Sequence, residues 1–332
     1  MPNSIKLAIS LIAIATILPC GCGRQTASDE RTPAQAQPPS QTQTLTKFTI
    51  TIDWIPAPEY YGFFYARQKG IYKDVGLDVE IRFANGAPEV AKELAVGNIY
   101  AGTTTSDNLL RQVADGAEFS FARPLLKFNP CVLASLAKSP ITKLEDIREK
   151  IIGTNPQSSV YQQFLYLLKQ HNISKSSFKQ YPIGWGGAAQ LKAGDVDAIL
   201  AYTSNVVIDL EKDKIPVTEI FFGDLGVESY GVVLAVGSEK LLAKNGISAE
   251  QARKFAAATI AGYEMGYQDV PGAVAALQAA EPTLEKTKVE FAIRKIGKLN
   301  ARFQFVSSNL DRWVEDSNIT EESRSATRRL FE

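Results

Sequence analysis

Apolar and polar positions alternate in two registers along most of this chain. Short runs rich in β-branched and aromatic residues read as strands, and longer runs with apolar residues three and four apart read as helices. Phe48–Asp53, Leu77–Phe83, Tyr100–Thr104 and Glu118–Phe121 are the first strands, with helices at Phe63–Lys69, Glu89–Val96 and Asp107–Ala114 between them. A second series follows Phe128-Asn129-Pro130-Cys131. Its strands are Val132–Leu136, Ile151–Gly153, Phe178–Tyr181 and Val196–Ala201, and its helices Val160–Leu168, Gly187–Lys192 and Asn205–Lys212. Tyr230–Val236 has the continuous apolar character of a buried strand. Only helices are predicted after it: Ala249–Met265, Gly272–Ala279, Lys286–Leu299 and Leu310–Asp316.

Strands joined by helical crossovers predict an α/β fold with mainly parallel sheets. Two such series and a closing strand predict two α/β lobes joined by a hinge. Residues 47–128 with 229–332 form the first lobe and residues 129–228 the second. The chain crosses between them near residues 128 and 229, and the interlobe cleft is the expected binding site.

The first 46 residues do not fit this alternation. Lys6 precedes an apolar run, Leu7–Leu18, that is too short to span a bilayer and ends in Pro19-Cys20-Gly21-Cys22. This predicts a lipoprotein signal over residues 1–22, with Cys22 as the lipidated residue and Cys20 as the alternative. Residues 23–46 are rich in Gln, Thr, Ser and Pro and predict a disordered tether. The folded part is then expected to be held at a membrane face, toward the periplasm or the cell exterior.

Charge narrows the partners. Lys and Arg total 36 and so do Asp and Glu, which gives no reason to expect nucleic acid. Cys131 is the single thiol after the tether and His171 the single histidine, so neither a disulfide framework nor a metal site is expected. There is no G-x-S-x-G elbow and no phosphate loop. We therefore expect a monomer without cofactor that binds a small molecule and is not an enzyme.

The candidate binding residues lie where strands end. Between Trp54 and Tyr65, six aromatics fall within twelve residues. Pro56 and Pro58 keep the first half from being helical, so Trp54, Tyr60 and Tyr61 are expected on a loop with ring faces available for stacking. Asp53 and Glu59 either accept hydrogen bonds from amino groups of a nitrogen heterocycle or cap the helix that follows. Thr104, Thr105 and Ser106 form a second strand-to-helix junction, and Gln157, Ser158, Ser159 and Tyr161 a third. Both supply hydroxyls and N–H groups, either for ligand or for plain capping. Trp185 and Gly186, Tyr202 and Asn205, and Asn129, Glu228 and Tyr230 at the two crossovers complete the set.

The residues of the first junction carry a resemblance. Asp53-Trp54-Ile55-Pro56, Gly62 and the stretch Ala66–Val79 (ARQKGIYKDVGLDV) resemble the opening of NMT1/THI5-like proteins. That group includes thiamine-pyrimidine-binding proteins and fungal pyrimidine synthases. The similarity extends through Leu94–Gly97, Ile141–Gly153 and Leu191–Ala198, covering roughly Lys47–Val236. It implies a type II periplasmic binding protein that delivers a planar heterocycle to an ABC permease. A thiamine pyrimidine precursor is the first expectation, with a riboflavin-like ligand, a sulfonate or nitrate as alternatives. A pyrimidine synthase-like enzyme and a membrane-tethered sensor domain are the other functions it leaves open. Tyr60 stands where the pyrimidine-related members carry a histidine that the synthases consume, and their cysteine-rich motif has no counterpart here.

Overall fold

The computed structural model describes residues 44–302 apart from 157 and 185, and residues 313–332 apart from 315. The expected signal, the lipidated cysteines, nearly all of the tether, and the candidates Gln157 and Trp185 lie outside the described residues, as does most of the helix expected at 310–316.

Among the described residues, ten strands build two sheets of five. The first holds β1 (Thr46–Ile52), β2 (Leu77–Phe83), β3 (Ala101–Thr104), β4 (Phe119–Leu126) and β10 (Val232–Gly237), in the order β2-β1-β3-β10-β4. The second holds β5 (Cys131–Leu136), β6 (Ile151–Thr154), β7 (Lys179–Pro182), β8 (Ala198–Tyr202) and β9 (Val217–Phe221), in the order β7-β6-β8-β5-β9. This is the two-lobed α/β fold of type II periplasmic binding proteins.

The sheets are mixed, which corrects the mainly parallel expectation. β1 pairs in parallel with β2 and β3, but β10 returns from the second sheet and runs antiparallel between β3 and β4. In the second sheet β6 is parallel to β7 and β8, while β5 is antiparallel to β8 and β9. Both reversals arise where the chain changes sheets, because a strand entering from the other lobe is not delivered by a crossover helix.

The helices follow the apolar spacing. They are α1 (Tyr61–Gln68), α2 (Ile71–Asp74), α3 (Ala87–Val96), α4 (Ser106–Ala114), α5 (Ser159–Gln170), α6 (Ala188–Ala193) and α7 (Val206–Lys212) before β10. After it come α8 (Glu239–Lys244), α9 (Ala249–Gln268), α10 (Val270–Ala280), α11 (Lys286–Arg302) and α12 (Glu321–Arg329). None of the described helices is long and apolar enough to cross a membrane.

Packing of α1 on α9 sets the floor of the first lobe. Gly262 lets the two backbones meet, since a Cβ there would strike the carbonyl oxygen of Gly62. Phe48 on β1 stacks on Phe255 of α9 at 4.2 Å between ring centroids. A single apolar cluster continues from Phe48, Ile50 and Ile52 to Ile199, Ala201 and Val207, so the two lobes meet directly. Burying each such side chain contributes about 1.5–3 kcal/mol, which makes this contact a principal source of cohesion.

Candidate functional site

The site grows from the carboxyl ends of β1, β3, β6 and β8, where open α/β sheets bind ligands. Asp53 follows β1 directly. Its N–H donates to Thr103 Oγ1 at 2.9 Å, and its Oδ1 accepts from the Tyr60 hydroxyl at 3.0 Å and from the Thr103 hydroxyl. No hydrogen bond among the described residues reaches Oδ2 of Asp53. Asp53 therefore caps no helix, and the capping alternative is removed: the following 3-10 turn, Pro58–Tyr60, starts after Ala57 without a side-chain cap.

Glu59 lies in that turn. Its Oε2 is buried without a hydrogen-bond partner among the described residues, and its carbonyl accepts the Tyr263 hydroxyl at 2.7 Å. Burial raises both carboxyl groups, to about 6 for Asp53 and about 7 for Glu59. Hydrogen bonds from Thr103 and Tyr60 oppose the rise at Asp53, whereas Glu59 also feels the negative charge of Asp53, with Lys288 opposing. A desolvated Asp53 carboxylate with Glu59 within its field disfavours a further anion and favours a donor or a cation.

The second lobe supplies the facing wall. Tyr202 ends β8, and its hydroxyl lies 3.2 Å from Ser159 Oγ at the start of α5. Burial raises the Tyr202 phenol well above its usual value, and Cys131, Asp53 and Asp107 add to the rise. That coupling brings Asp53 of the first lobe within electrostatic reach of Tyr202 in the second.

Other expected residues are placed differently. Tyr60 and Tyr61 are 4% and 3% exposed, in the 3-10 turn and at the start of α1 respectively. Tyr61 donates to the Tyr263 carbonyl at 2.8 Å and packs on the Tyr263 ring at 4.9 Å. The expectation of two free ring faces on a loop is corrected: the 3-10 turn following the second proline packs both rings inward. Trp54 is half-buried against the core, and neighbouring Ile55 is exposed.

At the second junction no side chain caps α4, yet the hydroxyls are bonded within the protein. Thr104 donates to the Ala87 carbonyl at 2.9 Å, and Thr105 Oγ1 accepts from the Asn108 amide at 2.7 Å. Ser106 Oγ accepts the Tyr230 N–H at 2.9 Å and lies 3.1 Å from Ser229 Oγ. Asn129 is committed as well. Its amide donates to Gln163 and to the Val227 carbonyl, both at 2.8 Å, while its Oδ1 accepts the Cys131 N–H at 3.0 Å. The bonds of Ser106 and Asn129 fasten the crossovers. Tyr230 is likewise buried, 5.1 Å from the Phe331 ring.

On the second wall, Ser158 caps α5 by accepting the Tyr161 N–H at 3.2 Å, and the Tyr161 hydroxyl donates to Gln180 at 3.0 Å. Asn205 precedes α7 half-buried, Glu228 is half-buried on the second crossover, and Gly186 is exposed. Thr103, Gln163 and Ser229 complete the polar framework without having been singled out. They are small or neutral residues beside stronger candidates, and only the strand alternation around Thr103 could have pointed to one of them. A cavity of about 200 Å³ lined by Arg123, Glu239, Arg253 and Arg329 sits at the β4 edge, away from the Asp53 cluster. The chemistry, not that cavity, identifies the candidate site.

The model of the NMT1/THI5 like family matches residues 57–270. The chain belongs to that family. The riboflavin-binding protein RibY of Chloroflexus aurantiacus is 22% identical over 260 residues, covering 77% of this chain and 72% of RibY. A putative thiamine biosynthesis protein of Haemophilus influenzae is 23% identical over 195 residues, 58% of this chain and 62% of that protein. Among solved structures, the periplasmic aliphatic sulphonate binding protein SsuA of Escherichia coli has a TM-score of 0.57 at 16% identity, covering 77% of this chain and 89% of SsuA. That likeness establishes the shared fold.

Proposed function

We propose that this family member is the solute-binding component of an ABC importer and captures a nitrogen heterocycle bearing N–H donors between its lobes. The carrying observation is the Asp53–Glu59 pair, buried at the carboxyl edge of the first sheet and within electrostatic reach of Tyr202. Asp53 Oδ2 accepts an amino or imide N–H from the ligand, and Tyr202 and Ser159 supply hydroxyls from the facing lobe. Half-buried Trp54 is the aromatic of the first segment proposed to meet the solute ring, since Tyr60 and Tyr61 are packed inward.

Charge decides between solute classes. A sulfonate or nitrate placed beside Asp53, which stays mostly ionised at neutral pH, meets like charge in a low dielectric, whereas an aminopyrimidine or a flavin ring presents donors. The thiamine aminopyrimidine is the preferred solute and riboflavin the second. The names of the two relatives point to the same chemistry, and the sulfonate-binding neighbour contributes only its fold. Lipidation at Cys22, or at Cys20, tethers the domain outside the cytoplasm beside its permease. Binding rather than turnover is the activity, so the solute is recovered unchanged.

Thermal shift of the full chain against the aminopyrimidine, riboflavin, an alkanesulfonate and nitrate tests this reading. A ligand at 100 times its Kd stabilises by about 2.7 kcal/mol, so the heterocycle raises the melting temperature and the anions do not. Stabilisation by a sulfonate alone overturns the proposal.

A further inference from the structure

Helix α11 crosses from one lobe to the other and carries unlike charge to the surface it meets. Its sequence, KTKVEFAIRKIGKLNAR, has six cationic residues and one acidic one. Val289, Ala292, Ile293, Ile296 and Leu299 are buried, and the helix packs on α9, α10 and the 3-10 turn that holds Glu59. Its far end is pinned to the first crossover. Asn300 accepts the Lys127 N–H at 2.8 Å and donates to the Leu125 carbonyl at 3.2 Å.

The opposite side of α11 meets α7 and β9 of the second lobe through ion pairs. Lys288 binds Asp209 at 2.9 Å, and Lys295 binds Glu211 at 2.9 Å and Glu219 at 3.0 Å. Just before the helix, Glu285 accepts from Lys212 of α7. The Lys295 and Glu219 side chains are only 15% and 12% exposed, so salt acts on this contact chiefly by screening the charges that opening brings into water. With Lys295 removed, Glu211 and Glu219 face each other uncompensated, and Glu211 Oε2 is already buried without a partner among the described residues. Opening the gap thus costs both the lost attraction and the repulsion left between Glu211 and Glu219.

We infer that α11 is a charge latch: Lys288 and Lys295 hold the acidic face formed by Asp209, Glu211 and Glu219 against the first lobe, so closure of the cleft depends on ionic strength. Helix α11 also packs on α7, and Val289, Ile293 and Ile296 share one apolar cluster with Val207 and Leu210, so separating the lobes breaks its ion pairs together with that apolar contact. The latch is graded. Measured along the helix from Asn300, Lys295 lies about 8 Å and Lys288 about 18 Å out, so the Lys288 pair opens first. The inference does not rest on which solute is bound.

Small-angle scattering of the full chain without ligand, at about 20 mM and about 500 mM NaCl, tests the latch across the range where screening shortens several-fold. The wild type is expected to expand as salt rises. The double variant Lys288→Met, Lys295→Met is expected to be expanded at low salt and insensitive to it, its open-to-closed ratio raised at least about tenfold by loss of charge-assisted contacts. A charge swap guards against misfolding: Lys288→Asp opens the molecule, and adding Asp209→Lys recloses it. Equal dimensions of wild type and double variant at both salts overturn the latch, as does a swap no more compact than Lys288→Asp alone. Failure of every heterocycle to bind would sink the proposed function and leave these scattering results as they are.

Discussion

The two walls of the cleft use their polar groups differently. On the first lobe, Asp53, Thr103 and Tyr60 are buried and bonded to one another, and Tyr61 is turned into the α1–α9 contact. On the second, Tyr202, Ser159 and Asn205 remain half-buried at the ends of β8 and the starts of α5 and α7. On the proposed function the first wall, preorganised and desolvated, sets which charge the solute carries. On the same reading the second wall, where the Tyr202 phenol is desolvated but Ser159 and Asn205 stay half-buried, serves closure. Lobe closure in which one wall reads and the other follows requires that asymmetry.

The largest effect that would break the comparison concerns Tyr61. Tyr61→Ala is expected to cost about 3–5 kcal/mol in denaturant unfolding, as for other large buried aromatics, while the folded fraction keeps its solute affinity. Unchanged stability with lost binding would make the ring a ligand platform and erase the distinction between the walls. Next comes pH. Asp53 rises from 3.8 to about 6 and Glu59 from 4.5 to about 7 on folding, so the folded state holds their protons more tightly than the unfolded chain. Their stabilising contribution is full below pH about 4 and is lost as pH climbs through about 6 to 7, on the order of 2–3 kcal/mol for each. Asp53→Asn and Glu59→Gln are each expected to flatten that part of the stability–pH curve; a variant curve parallel to wild type would contradict the burial argument.

Effects on the second wall are smaller. Tyr202→Phe removes the hydroxyl contact with Ser159 and is expected to change stability by about 1 kcal/mol or less while weakening solute binding measurably in titration calorimetry. Gly186→Ala is expected to leave the melting temperature within error, since an added Cβ meets nothing within 4 Å. A large destabilisation there would mean that the second wall is as tightly packed as the first.

Much of this was legible because the elements that place the site have strong local signals. Leu77–Phe83 was expected as a strand and is β2 residue for residue, and the paired β-α series gave two lobes. β9 was missed because the polar pair Thr218-Glu219 breaks its short apolar run, and Glu219 is held by Lys295 from another lobe. α12 was missed because it is almost wholly polar, with only Thr327 buried. In the site, position was legible and orientation was not. Prolines mark a break in helix, yet the chain resumed as a 3-10 turn, and the partner that draws Tyr61 inward, Tyr263, lies 202 residues away. The same distance in sequence hides the role of Asn129, whose partners Gln163 and Val227 come from later elements.

The central claim is that the Asp53 carboxylate, held by Thr103 and Tyr60, receives an N–H of the solute. Titration calorimetry of the thiamine aminopyrimidine into the full-length wild type and Asp53→Asn measures it most directly. The account predicts one-to-one binding to the wild type and a Kd roughly 10- to 100-fold weaker for the variant, the worth of one charge-assisted hydrogen bond. Equal affinity of the two proteins for the heterocycle would contradict it.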